Sequence, residues 1–131
     1  MFALQNVLPA TDDATLQFRT STDNGTGYDE GASDYSDITD ASETSIGISS
    51  AAGNATGEGV TGIVTVFNPG GTTHTHVTVS GITFTNASIA INNIQGGGKR
   101  SAAEDVDAVR FIFSSGNLSS GNITAFRRKL A

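Results

Sequence analysis

Short runs of β-branched and aromatic residues alternate along this chain with stretches of Gly, Ser, Thr and Asn, and within the runs the apolar positions recur every second residue. The clearest run is Thr61 to Asn68, TGIVTVFN, closed by Pro69-Gly70-Gly71, which cannot continue a strand. The next, His74 to Phe84, reads HTHVTVSGITF and sets Val77 and Val79 on one face with His74, His76 and Thr78 on the other. Gly81 interrupts it, and a bulge or bend is expected there, after which Ile82 and Phe84 resume an apolar face.

The same pattern predicts strands at Ala3–Val7, Thr15–Thr20, Ser45–Ser49, Ser88–Ile94, Ala108–Ser114 and Asn122–Arg128. Val109, Phe111 and Phe113 share a face and are expected in the core. Ser115-Gly116-Asn117 and Ser120-Gly121-Asn122 read as two turns bracketing a short crossing. Helix is limited to one turn near Ala102–Asp107. Asp23–Ser45 and Gln95–Ser101 are loop-rich, the second carrying three consecutive glycines. About eight short strands joined by polar turns predict an all-β fold: one domain over residues 1–131, a two-layer antiparallel β-sandwich of jelly-roll type.

Composition narrows the chemistry. The 131 residues include no cysteine, which excludes disulfides and thiolate metal sites. No apolar run approaches the roughly 20 residues of a membrane-spanning helix, and no basic stretch leads into an apolar one at the N-terminus, so no membrane partner is expected and synthesis in a cytoplasm is. A net charge of -6 argues against nucleic acid as a partner. Residues 1–60 hold ten acidic side chains against the single base Arg19; residues 61–131 hold three acids and six bases, five of them in Lys99-Arg100 and Arg127-Arg128-Lys129. That asymmetry suits docking on an oppositely charged surface or head-to-tail alignment of copies, although solvated loops and a terminal tail have the same composition.

Candidate reactive constellations are sparse. His74 and His76, spaced i, i+2, would face one way on a strand and could share a metal on a trimer axis, but no third ligand is adjacent. The acids Asp23, Asp29, Glu30, Asp34, Asp37, Asp40 and Glu43 do not follow an EF-hand pattern and read as a solvated acidic loop. Gly96-Gly97-Gly98-Lys99 lacks the spacing of a phosphate loop. Two histidines on one strand leave little material for a nucleophile–base pair, so no enzymatic activity, catalytic residue or cofactor is expected. Five Asn-x-Ser/Thr sequons, at Asn24, Asn54, Asn86, Asn117 and Asn122, follow from a composition rich in those residues. Tyr28, Tyr35 and the phenylalanines offer a sugar-stacking platform, weakened by the lack of Trp.

Several ordered motifs carry a resemblance. They are Asn6-Val-Leu-Pro-Ala-Thr-Asp12, Leu16-Gln-Phe-Arg-Thr-Ser-Thr-Asp23 and Gly31-Ala-Ser-Asp-Tyr35. Then come Asn54-Ala-Thr-Gly-Glu-Gly59 with Gly62-Ile-Val-Thr-Val-Phe-Asn-Pro69, and the closing Asp107-Ala-Val-Arg-Phe-Ile-Phe-Ser-Ser-Gly116-Asn-Leu-Ser-Ser-Gly121-Asn-Ile123. Together they resemble small bacteriophage and prophage virion proteins with a β-sandwich fold. The resemblance implies a capsid- or tail-associated module and brings no catalytic residues. Members of that group usually have a further strand before the Asn-Val-Leu-Pro segment, so one sheet here is expected to be a strand short, with an open edge near Met1-Phe2. They also tend to close on an aliphatic-Tyr-Gly ending, where this chain has Ala125-Phe126-Arg127-Arg128-Lys129.

The function expected on this basis is a capsid decoration or cement protein on the outer surface of a phage particle. It would be assembled in the host cytoplasm, form a homotrimer by family habit and lattice symmetry, and bridge major capsid proteins or another virion protein. The alternatives are a receptor- or carbohydrate-binding tip of a tail or head fibre, working through Tyr28–Tyr35 and Gln95–Arg100, and a tail or connector component. The expected partner contacts are Phe2, Leu4, Tyr28, Asp29, Tyr35, Lys99, Arg100, Arg127, Arg128 and Lys129.

Overall fold

In the computed structural model, residues 1–38, 42–85 and 90–127 are described. They form nine strands and, among the described residues, no helix: β1 (Phe2–Pro9), β2 (Ala14–Ser21), β3 (Tyr35–Asp37), β4 (Ile46–Ala52), β5 (Gly59–Phe67), β6 (His76–Phe84), β7 (Ile91–Arg100), β8 (Ala108–Phe113) and β9 (Leu118–Ala125). Six build one antiparallel sheet in the order β3-β7-β6-β5-β1-β9, and three build a second in the order β4-β2-β8. The expected two-layer sandwich is therefore present, with its strands divided unequally. Alternation explains the core. Leu16 and Phe18 of β2, Ile46 and Ile48 of β4, and Val60 and Val64 of β5 each project inward at every second residue and lie at or below 1% exposure. Phe113 joins them, and Val109 and Phe111 pack against the cluster, as their shared face predicts.

Four local expectations are corrected. The N-terminal strand is not an edge: β1 pairs with β5 on one side and β9 on the other, and the Met1 ammonium donates to the Phe126 carbonyl at 3.0 Å. The glycine run Gly96–Gly98 is strand rather than loop, because backbone pairing needs no side chain and β6 holds it throughout. Ser120-Gly121-Asn122 lies inside β9 at a shift of register against β1, not in a turn. The Ala102–Asp107 segment carries no helical turn; Val106 there is buried and donates its N–H to the Pro69 carbonyl at 2.6 Å. The acidic segment also contributes one strand that the pattern did not predict, β3, whose Tyr35 is fully buried. Part of the predicted Ser88–Ile94 strand lies outside the described residues.

Gly81 has a different role from the one expected. β5 and β6 run in unbroken register from Gly59↔Phe84 to Phe67↔His76, so no bulge interrupts β6. Gly81 faces Gly62 directly, and a Cβ on Gly81 would lie 2.4 Å from the Thr61 carbonyl oxygen. The two glycines let the strands approach closely. Without a bulge the two-residue period carries through. Val77 and Val79 point into the core with Thr83, while Ile82 and Phe84 point to the opposite, outer face.

A methyl group at this contact must push the strands apart. Gly81→Ala is expected to destabilise the fold by about 1–3 kcal/mol, the usual cost of overpacking, read as a lowered urea midpoint. An unchanged midpoint would mean that the paired glycines are not a steric requirement.

Candidate functional site

Like charges directly opposite each other across a strand pair repel, and β2 and β8 place Arg19 opposite Arg110 on the outer face of the three-stranded sheet. The acidic segment folds back over that face and relieves the repulsion. Glu30 accepts a hydrogen bond from Arg19 Nη1 at 2.6 Å, and the Arg110 guanidinium stacks on the Tyr28 ring at 4.4 Å from its centroid. The Nε atoms of both arginines are buried and have no hydrogen-bond partner among the described residues.

A third arginine fixes the same segment from the other sheet. Arg100 ends β7 in register with Tyr35 of β3 and is only 6% exposed. Its Nε donates to Asp29 Oδ2 at 2.8 Å, its Nη2 lies 2.8 Å from Glu104 Oε2, and its Nη1 donates to the Ala102 carbonyl at 3.2 Å. The hydrogen bond to Asp29 holds the guanidinium pKa above its ordinary value against the opposing effect of burial. Asp29 Oδ2 also accepts the Thr20 hydroxyl at 2.9 Å. The Tyr35 hydroxyl accepts the Thr20 N–H at 2.7 Å and donates to the Asp29 carbonyl at 3.2 Å. Burial raises the pKa of that phenol. Thr20, Asp29, Tyr35 and Arg100 therefore join β2 of the small sheet to β3 and β7 of the large one.

The loop is also stiffened from within. Asp23 accepts the Gly27 N–H at 2.9 Å and the Ser21 hydroxyl at 2.7 Å, and these bonds, the Gly27 one first, lower its pKa. Asp107 accepts the Asn24 N–H at 3.0 Å through both oxygens, and Asp34 accepts the Gly31 N–H at 2.6 Å. The result is a preformed acidic surface, with the Glu30 side chain 68% exposed.

This arrangement reassigns several of the expected contact residues. Asp29, Tyr35 and Arg100 come together, but as an internal network: Tyr35 and Arg100 are buried and cannot be offered to a partner or a sugar. Leu4 is 2% exposed, and Phe2 packs edge-on against Phe111 with ring centroids 5.3 Å apart, so both belong to the core. Tyr28 is held under Arg110. Lys99 lies half-buried on β7 beside His76 of β6, at a shallow depression of about 430 Å³ where the side chains of Gly96–Gly98 are missing. His76 faces outward, whereas His74 precedes the strand with Nδ1 3.2 Å from the Arg100 carbonyl. Arg127 is exposed, and Arg128 and Lys129 lie outside the described residues. Arg19, Arg110 and Thr20 were not foreseen as site residues, and Glu30 was read only as part of a solvated acidic loop. A usable signal was present, because each arginine sits mid-strand at an outward position between two core residues.

Two substitutions test the network. Tyr35→Phe leaves the buried Thr20 N–H without its acceptor and is expected to cost about 1–3 kcal/mol at neutral pH. Because the folded phenol has a raised pKa, its contribution is complete below the unfolded value of 10.0 and is lost as pH rises through the folded one. Urea midpoints above pH 10 should therefore fall for the wild type by a component that Tyr35→Phe lacks. Asp29→Ala leaves Arg100 with the more exposed Glu104 and the Ala102 carbonyl, and should cost about 2–4 kcal/mol. A loss below about 0.5 kcal/mol, within the range of an ordinary surface substitution, would show that Asp29 is not the main counter-ion.

Comparison of the chain with protein-family models, with curated proteins and with solved structures finds no match.

Proposed function

We propose that this chain is a non-catalytic structural protein of a bacteriophage particle, a decoration protein that docks on the major capsid protein. The observation that carries the reading is the clamped acidic loop. Three arginines hold residues 28–30 against the sandwich, and the Gly27 and Gly31 N–H groups hold Asp23 and Asp34, so Glu30 and its acidic neighbours are ordered before any partner arrives. A preformed charged surface loses little entropy on docking and speeds encounter with a basic surface. The sequence motifs that resemble phage virion proteins supply the setting, and a copy at every lattice position multiplies a modest contact. Arg19, Arg100 and Arg110 thus organise the acidic segment instead of neutralising a ligand. A fibre-tip reading has less support, since Tyr35 is buried and the 95–100 segment is strand.

The test is a particle prepared with and without the protein. The stripped shell should melt at a lower temperature, show vacant positions in a reconstruction, and regain stability when the protein is added back. Binding to the stripped shell should weaken about tenfold or more between low and high salt, because exposed charges are screened within a Debye length. A stripped shell of unchanged stability with no vacant position overturns the proposal, as does density confined to the tail.

A further inference from the structure

We infer that the outer face of the six-stranded sheet is a contact between two copies of this chain, packed sheet against sheet about a two-fold axis. The inference does not depend on the virion reading and is tested on the isolated protein.

The uninterrupted register through Gly81 sets it up. Ile82 and Phe84, turned outward, meet other apolar residues across the strands. Thr61, Ile82 and Asn93 form one cross-strand row, Ile63, Ser80 and Gln95 the next, and Phe84 lies opposite Ile91. Ile63 is one diagonal step from Ile82, within reach of side-chain contact. Ile63, Ile82, Phe84 and Ile91 therefore make an apolar band across β5, β6 and β7, with Ser, Thr, Asn and Gln around it. Ile63 is 45% exposed and Ile91 59%.

Three considerations identify the occupant as a second copy. The first is charge. The chain has 13 acidic residues and a net charge of -6, yet no outward-facing strand residue of this sheet is Asp or Glu. Two identical acidic molecules repel elsewhere, while here they approach without bringing carboxylates together, and a cationic partner finds no anion to bind. The second is size. Five of the six strands have eight to ten residues. At about 3.3 Å per residue and 4.8 Å between strands, their face projects roughly 700 Å², close to the ~800 Å² per partner of a stable interface. The third is shape. Two sheets of the same twist pack with their strands about 30° apart, and a self-complementary face closes after two copies. A trimer would need two different surfaces.

Sedimentation of the full chain up to about 200 μM should show a concentration-dependent monomer–dimer equilibrium. Ile63→Glu and Ile91→Glu, both at exposed positions, should each weaken the dimer at least about tenfold. Far-UV circular dichroism checks that each variant is folded. Thr73→Glu, on an exposed loop, should leave the dimer intact. Should either glutamate variant unfold, Ser80→Lys replaces one exposed polar residue by another within the band and gives the same readout. A wild type that stays monomeric over this range, a trimer, or a dimer that survives the substitutions overturns the inference.

Discussion

A guanidinium inside a β-sandwich must be surrounded by acceptors, because its desolvation is far costlier than any packing it contributes. Arg100 imposes that requirement here. Asp29 must reach it from the acidic segment, and Glu104 and the Ala102 carbonyl must reach it from the chain that follows β7. Asp29 in turn positions Thr20 and the Tyr35 hydroxyl. One buried charge thus couples the two sheets and draws a loop across the flank of the molecule. Arg19 and Arg110 extend the same logic to the outer face of the small sheet, where salt bridge and cation–π contact cover two like charges that strand pairing alone leaves opposed.

A second constraint is purely geometric. Side chains alternate in a strand, so a single inserted residue in β6 exchanges every later position between core and surface. The close approach of Gly62 and Gly81 avoids that insertion. The consequence is uneven. Thr83 is buried with its hydroxyl unpartnered among the described residues, whereas Ile82 and Phe84, the more apolar pair, are turned outward. A fold that only maximised apolar burial would have taken the bulge.

The molecule consequently has two surfaces of opposite character. Over the three-stranded sheet lies an ordered acidic loop, its carboxylates held by backbone amides and arginines. The outer face of the six-stranded sheet presents no acidic strand residue and carries an apolar band. The first is the surface of the proposed salt-sensitive docking on a basic partner, the second that of the inferred contact between two copies. The two surfaces belong to different layers of the sandwich.

Alternation, turn residues and the shortage of helix formers determined the all-β class, the two layers and most strand positions, because these depend on spacing within a few residues. The shared core face of Val109, Phe111 and Phe113 was legible for the same reason. The acidic composition of the first half was also plain. Only the tertiary structure decided that Tyr35, Asp29 and Arg100 belong together inside, since Asp29 and Arg100 are 71 residues apart and nothing local marks a charge for burial. Register was likewise beyond the sequence. Gly81 is compatible with a bulge or with close approach, and the choice rests on Gly62 in the neighbouring strand. What local pattern could not settle was which face Ile82 and Phe84 would occupy, because that depends on the strand beside β6.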